Sequence, residues 1–279
     1  MSVKIIVDSL GDIPAQVAKD LGMGVIPINV IFGTQVYRDG VDITPAQFYD
    51  RLEKEKISPT TSVPPLDSFI QVFKQAAEET DEIVVITISK KLSGTNQAAQ
   101  EAARMMDKKC KVEVIDSKWL LMGEGLLALK AAKMSKAGAS FDDIVKSTHN
   151  DIPRISGLMV FDTLEYLRRG GRIGKAKAFL GSLLKLHPVL SIKDGEIHPF
   201  AREGSRAKGI DCLYKMVMGH SKIDELAVED ATTPGEADTL ADRLAEKFPR
   251  EDIYRSKVSP VLGAHTGPHV IGAFLIGEK

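Results

Sequence analysis

Apolar positions in the first half of the chain come as short runs of strand length, separated by longer stretches of helical period. Val3–Val7 is a short, largely apolar run rich in β-branched residues, the pattern of a buried strand. Asp12 stands where it would cap a helix with Pro14 in its first turn and Gly22 at its end. Val25–Phe32 and Gln35–Tyr37 flank Gly33-Thr34, which predicts a hairpin. Thr44-Pro45 opens a helix through Phe48, Tyr49 and Leu52, and Thr60–Pro65 is a loop leading into a helix over Leu66–Ala77. Ile83–Ile88 predicts a second buried strand, followed by a Ser93-Gly94-Thr95 turn and a helix from about Asn96 to Met106. Val112–Ile115 gives a third strand and Gly125–Lys136 another helix. Strands spaced by helices pair in parallel through right-handed crossovers.

The second half is mixed. Ser156–Phe161 predicts a strand, while Leu164–Arg169 and Ala176–Leu184 look helical around a glycine-rich break. Val189–Ile192 and Ile197–Phe200 flank Asp194-Gly195, a two-residue hairpin signal. Arg206–Met218 and Ala237–Phe248 read as helices, and Leu226–Glu229, Tyr254–Val258 and Val270–Ile276 as strands. Helical pattern gives way to a new strand near Asp151-Ile152-Pro153, which predicts two closely packed domains. These are an N-terminal, mostly parallel α/β/α domain over residues 1–152 and a C-terminal mixed α/β domain over residues 153–279.

Composition narrows the classes. The 279 residues are 43% hydrophobic and 27% charged, ordinary for a globular chain and wrong for a disordered one. Lys and Arg number 37 against 38 Asp and Glu, so no basic field draws nucleic acid or anionic lipid. Cys110 and Cys212 are too few for a disulfide framework and suit a reducing compartment. No apolar run approaches the roughly 18 residues of a membrane span. The N-terminus (MSVKIIVDS) passes into a strand without a leader-like segment. The expectation is a cytoplasmic protein.

Much catalytic machinery is missing. Gly170–Ala176 lacks P-loop spacing, no GxGxxG turn follows the first strand, and no Gly-x-Ser-x-Gly elbow occurs. Leu10 stands where a haloacid-type phosphatase wants a second aspartate. His265 and His269 are separated by Gly267-Pro268, which forbids the helix that would align two metal ligands, so no metal is expected. Three loops keep polar side chains where an anion could sit. Ser93-Gly94-Thr95 stands at a helix start, where it is either a plain cap or a set of anion donors. Thr60-Thr61-Ser62 precedes the stiff Val63-Pro64-Pro65, and is open to the same two readings. Gly263–Pro268 frames His265 in a tight loop, where the ring is either structural or functional. Arg168, Arg169 and Arg172 beside Gly170-Gly171, and Arg202 and Arg206 after the hairpin, fit either a solvated face or recognition of a carboxylate or phosphate. The echo of IIVDS (Ile5–Ser9) in EVIDS (Glu113–Ser117) reads as two parallel strands ending alike, with Asp and Ser as caps.

In order and spacing, the IIVDS start, TTS before a proline loop, KKLSGTNQAA, VEVIDS, LEYLRRGGRIGK, HPVLSIKDGEI and GAHTGPHVIGAFLIG resemble the DegV family. The likeness runs along essentially the whole chain and is to the FakB-type fatty-acid-binding subunits of bacterial fatty acid kinase. The family's threonine loop commonly reads Thr-Ser-Gln-Pro where this chain has Val63, and its GAHTGPG loop ends where this chain has His269, an extra side chain expected near the mouth of the site.

The resemblance implies a DegV-like two-domain α/β fold and a long-chain fatty acid, such as palmitate or oleate, held in a buried apolar pocket. Thr61 and Ser93 are the implied head-group donors. Arg172, Arg202 and His265 match positions near the head group or the contact with a kinase. The implied partner is a separate ATP-binding kinase subunit that makes an acyl-phosphate for phospholipid synthesis. This chain is then a binding subunit with no cofactor and no catalytic residue of its own. Two alternatives are a stand-alone hydrolase or transferase using Ser93 with His265, and a lipid-sequestering regulatory protein.

Overall fold

The strand–helix alternation closes into three sheets in the computed structural model, which describes residues 3–55, 57–180 and 186–279. In chain order the first part runs β1 (Lys4–Asp8), α1 (Ala15–Asp20), β2 (Gly24–Ile26), β3 (Asn29–Phe32), β4 (Gln35–Arg38), α2 (Pro45–Lys54) and β5 (Thr60–Ser62). It continues through α3 (Leu66–Ala77), β6 (Glu82–Thr87), α4 (Thr95–Arg104), β7 (Lys111–Asp116), α5 (Met122–Lys136) and α6 (Phe141–Asp151). The second part holds β8 (Ile155–Val160), α7 (Glu165–Arg169), β9 (His187–Lys193), β10 (Glu196–Glu203) and α8 (Arg206–Met218). It ends with β11 (Lys222–Asp230), α9 (Pro234–Leu244), β12 (Ile253–Lys257), α10 (Pro260–Thr266) and β13 (Ile271–Glu278).

Four strands form an all-parallel sheet in the order β2-β1-β6-β7, with α3 and α4 packed together against it. Six strands form a mixed sheet, β10-β9-β8-β13-β11-β12, whose antiparallel ladders give way to a parallel one only between β11 and β12. A small antiparallel sheet, β4-β3-β5, carries Thr61 opposite Val30.

The mixed sheet shows why alternation predicts strands. Val228, Ile271, Ala273 and Leu275 join α8 and α9 in one apolar cluster, while Ala227, Phe274 and Ile276 point the other way into the main core. Helix α5 fills the space between the two large sheets, packing on β1 and β6 on one side and on β11, β13 and β8 on the other. From Met122 to Leu129 every residue is buried, and only Lys133 and Lys136 near its end stand exposed.

Four sequence expectations change. Asp12 is not the α1 cap; it adopts a left-handed backbone (φ 49°) and is buried, its Oδ1 accepting the Ser259 N–H at 3.2 Å. Thr60–Ser62 is a strand because β3 offers it a free edge. Residues 260–266 are helix α10 rather than a loop, with Pro260 in the first turn and the turnaround deferred to Gly267 (φ 79°). Of the helix expected over Ala176–Leu184, residues 176–179 belong instead to a 3-10 turn at Gly174–Phe179, and residues 181–184 lie outside the described residues. The Asp194-Gly195 hairpin, with φ of 52° and 80°, and the helix opening at Thr44-Pro45 are as the sequence predicts, and Gln47 completes a capping box with Thr44. Among the described residues no helix is long and apolar enough to cross a membrane.

Close backbone approach seats α5. A Cβ on Gly125 would lie 2.2 Å from the Gly11 carbonyl oxygen, a contact between backbones that no rotamer relieves. Gly125→Ala is therefore expected to destabilise the protein by about 2–3 kcal/mol, read as a lowered urea midpoint at unchanged slope. An unchanged midpoint would contradict the packing described.

Candidate functional site

The chain leaves β1 toward β2 on one side and reaches β6 on the other, so the segments after β1 and β6 diverge at their carboxyl ends. Such a switch point opens a crevice in parallel α/β sheets. Leu10 follows β1, Ile88 follows β6, and both line a cavity there. Leu120, Met159, Phe161 and Leu262 complete much of its apolar wall. Leu120 is presented by a strained neighbour: Leu121 holds φ 57° and ψ −154°, fixed by donating its N–H to the Leu10 carbonyl at 2.9 Å. About 80 Å³ stands open among these side chains.

The mouth is polar. Thr61, Ser93, Arg172 and His265 all line it, from β5, the loop before α4, the turn after α7, and α10. Thr61 Oγ1 lies 2.9 Å from His265 Nε2. Ser93 Oγ is 2.8 Å from Thr95 Oγ1 and accepts the Thr95 N–H at 3.3 Å, while the N-cap position of α4 is Gly94. Arg172 is braced by its donors to the carbonyls of Gly170 (2.7 Å) and Leu92 (3.3 Å), and among the described residues no carboxylate pairs with it. The loop holding Ser93 is anchored from below. Asp8 accepts the Ile88 N–H and Asp116 the Lys90 N–H, while Ser89 Oγ donates to the Gly195 carbonyl of the β9–β10 hairpin.

His265 is held neutral. Its Nδ1 is buried without a hydrogen-bond partner, pressed against Gly170, where a Cβ would lie 2.1 Å from that nitrogen. Burial first, and the Arg172 guanidinium second, lower its pKa to about 4. An apolar cavity closed by hydroxyls, one guanidinium and a neutral imidazole can surround an anionic head group without a fixed ion pair.

The DegV family, described as "Uncharacterised protein, DegV family", matches residues 2–278. The chain belongs to the DegV family. A DegV domain-containing protein of Caldanaerobacter subterraneus subsp. tengcongensis is 34% identical over 276 residues, 98% of each chain. Among solved structures, a DegV family protein from Thermus thermophilus, described by its fatty-acid binding, aligns with TM-score 0.90 and 30% identity over 99% of this chain and 100% of that one. DegV of Bacillus subtilis, described as a fatty acid binding protein, aligns with TM-score 0.89 and 30% identity over 99% of both chains.

Of the residues singled out in this DegV-family sequence, Thr61, Ser93, Arg172 and His265 converge. Arg202 does not: it lies exposed on β10, its guanidinium 4.5 Å from the Phe179 ring centroid. Arg168 and Arg169 pair with Glu165, and Arg206 with Asp162 and Glu236, so these serve the surface and a helix junction. His269 is not among the residues lining the cavity; its Nδ1 lies 2.8 Å from Oδ2 of Asp162, the residue after the lining Phe161. Val63 lines the cavity. Sequence reasoning missed Gly170 as the seat of His265, and read Asp8 and Asp116 only as caps. The repeated Asp-Ser was the available signal that both strands end in the same service.

Neutral burial of His265 gives stability a signed pH dependence. The unfolded imidazole takes up a proton near pH 6.5 and the folded one only near 4, so this group's contribution is present above about 6.5 and falls as pH drops toward 4. The buried carboxyls raised by burial act with opposite sign, so the comparison must be differential. Urea unfolding between pH 7 and pH 5 should show a smaller loss for His265→Gln than for the parent chain. Equal losses would mean the ring is solvated.

Proposed function

We propose that this protein binds a long-chain fatty acid, such as palmitate or oleate, and presents its carboxylate to a separate ATP-bearing kinase subunit. The observation that carries this is the apolar cavity closed by Thr61, Ser93, Arg172 and His265. The fatty-acid binding of the Thermus and Bacillus proteins supports the same reading. About 15 methylenes at ~0.8 kcal/mol each give roughly 12 kcal/mol of gross burial, so the tail supplies most of the affinity before ordering costs. The open space is well below the ~300–1,000 Å³ of ordinary ligand pockets, so the acyl chain enters as the leucines and Met159 change rotamer.

At the mouth, Thr61 and Ser93 hydroxyls donate to the carboxylate while leaving an oxygen lone pair free. That oxygen attacks the γ-phosphorus of ATP on the partner, the bond to the bridging oxygen breaks, and ADP departs. Arg172 stands where it stabilises charge on the transferring group, and Arg202 on the open face of β10 suits the kinase contact. A hydrolase using Ser93 with His265 is disfavoured by geometry: Nε2 of the ring faces Thr61, Nδ1 is buried, and Ser93 bonds Thr95.

Titration of delipidated protein with oleate tests the binding step. Ser93→Ala and Thr61→Ala should each weaken it by about 1–3 kcal/mol, since each leaves a carboxylate oxygen short of a donor. Unchanged affinity in both variants would overturn the head-group assignment. Kinase-dependent acyl-phosphate formation tests the second step. Arg172→Ala and Arg202→Ala should keep fatty acid bound but slow its phosphorylation, for Arg172 by roughly 10²–10³-fold. Bound fatty acid that is never phosphorylated by kinase and ATP, even in the parent protein, would leave a sequestering protein instead.

A further inference from the structure

A second cavity, of about 750 Å³, is bounded by β7 of the parallel sheet, by β8 and β9 of the mixed sheet, and by α4. That size falls within the ~300–1,000 Å³ of ordinary small-molecule pockets. It shares no lining residue with the first cavity. Its floor is apolar: Ile115, Trp119, Ile155 and Ile192 line it, and each is more than nine-tenths buried. Its rim is basic, with Lys90, Lys118 and Lys193 standing exposed around it. Lys90 Nζ lies 3.9 Å from Asp116 Oδ2, and among the described residues neither Lys118 nor Lys193 forms a salt bridge. Three ammonium groups thus face two lining carboxylates, Asp116 and Asp194, and one positive charge is left over.

The floor holds one polar group without a partner, the indole N–H of Trp119, which is the chain's single tryptophan and only 6% exposed. The Cε3–Cζ3 edge of its ring faces two glycines: a Cβ on Gly123 would lie 2.7 Å from Cε3, and one on Gly157 3.0 Å from Cζ3. Nε1 sits on the opposite edge. Among the described residues it donates to no acceptor, and the unpartnered side-chain atoms that are shut off from solvent do not include it. Trp119 lines this cavity and not the first, so its N–H is a donor left open to the cleft. A buried Trp N–H ordinarily finds a partner.

The sides of the cleft are tied together before any ligand arrives. Asp116 Oδ1 accepts the N–H groups of Lys90 (3.2 Å) and Lys118 (3.0 Å), which joins the loops after β6 and β7. Ser89 donates its N–H to the Trp119 carbonyl and its hydroxyl to the Gly195 carbonyl, both at 2.8 Å, which adds the β9–β10 hairpin. Lys118 holds a left-handed backbone (φ 56°), a conformation easier for glycine or asparagine, so the chain keeps a lysine on this rim against its local preference.

We infer that this cleft binds a small carboxylate on a compact apolar body, with one carboxylate oxygen accepting the Trp119 Nε1–H and the charge met by Lys118 and Lys193. A carboxylate is acceptor-only and carries the one negative charge that the rim lacks. The isoleucines of the floor suit the apolar body, and Lys118 and Lys193 adjoin Trp119 and Ile192 in the chain, which brings both ammonium stems to the edge of that floor. A cation would meet surplus positive charge, and among the described residues no group of three or more His, Cys, Asp or Glu is placed to hold a metal. The site stands apart from the fatty-acid reading, because none of its groups lines the first cavity.

The probe is phenylbutyrate, titrated into the full chain with and without saturating palmitate, against phenylbutanol and phenylbutylammonium of the same body. A single tryptophan gives a single indole N–H resonance in isotope-labelled protein, so the site has its own reporter. Phenylbutyrate should move that resonance downfield to saturation, and should still do so with palmitate present. Phenylbutanol should bind about tenfold or more weakly, and phenylbutylammonium should not compete. Lys118→Gln combined with Lys193→Gln, both on the exposed rim, should weaken phenylbutyrate by about tenfold or more. Trp119→Phe, followed by calorimetry, should weaken it to a similar degree, and the lysine pair carries the test if that variant fails to fold. Equal affinity for phenylbutanol would reduce the cavity to an apolar cleft and overturn the proposal. Displacement by palmitate would place the carboxylate in the first cavity and overturn it as well. So would an indole resonance that does not move, or undiminished binding in the lysine pair. Should palmitate itself fail to bind, the fatty-acid reading falls while the indole titration still decides this one.

Discussion

From Met122 to Leu129 helix α5 has no face to give to water, and both large sheets are arranged around that fact. Eleven of its residues are buried, from Met122 through Ser135. A helix buried all round over its first two turns cannot be satisfied by one sheet, so it holds the parallel and mixed sheets against each other. Two glycines set how closely they come. Gly123 admits the Trp119 and Phe274 rings, and Gly125 admits the backbone at Gly11. The second contact fixes the Ser9–Gly11 turn, and with it Leu10 at the cavity wall and the Leu10 carbonyl that holds Leu121 in its strained backbone. The site is thus a by-product of seating one helix.

Local chemistry made much of the fold readable. Alternating apolar residues and the helix-opening pair Thr44-Pro45 mark elements whose partners are close by, and both hairpins announce themselves in their turn residues. What escaped was decided at a distance. Thr60–Ser62 is a strand only because β3 lies alongside, and Asp12 is buried only because Ser256 and Ser259, far along the chain, bond it. The site was legible in the same measure. Thr61, Ser93, Arg172 and His265 carried local signals of loops and helix starts, but nothing local separates Arg172 from Arg202, which differ in whether a pocket wall happens to stand beside them.

Carboxyl groups are handled in three ways within one molecule. Asp230 is fully buried and meets two cations, Arg255 and Lys257. Asp8 meets two backbone N–H groups and no cation, and burial still lifts it to about 6. Asp12 and Glu124 keep oxygens with no partner and are held toward the neutral form. The cavity mouth follows the second pattern, with hydroxyls in place of amides.

The place of β13 in the mixed sheet has a consequence for how the chain is made. It lies between β8 and β11, antiparallel to both, yet it is later in the sequence than every other strand of that sheet. Until residues 271–278 emerge from the ribosome, β8 and β11 have no common neighbour, and the inward-facing Phe274 and Ile276 are missing from the core around α5. The parallel sheet, whose strands are all made by Asp116, has no such wait. During synthesis α5 therefore spends an interval with one side covered and the other bare, a period in which its exposed apolar stripe invites contact with chaperones or with other nascent chains.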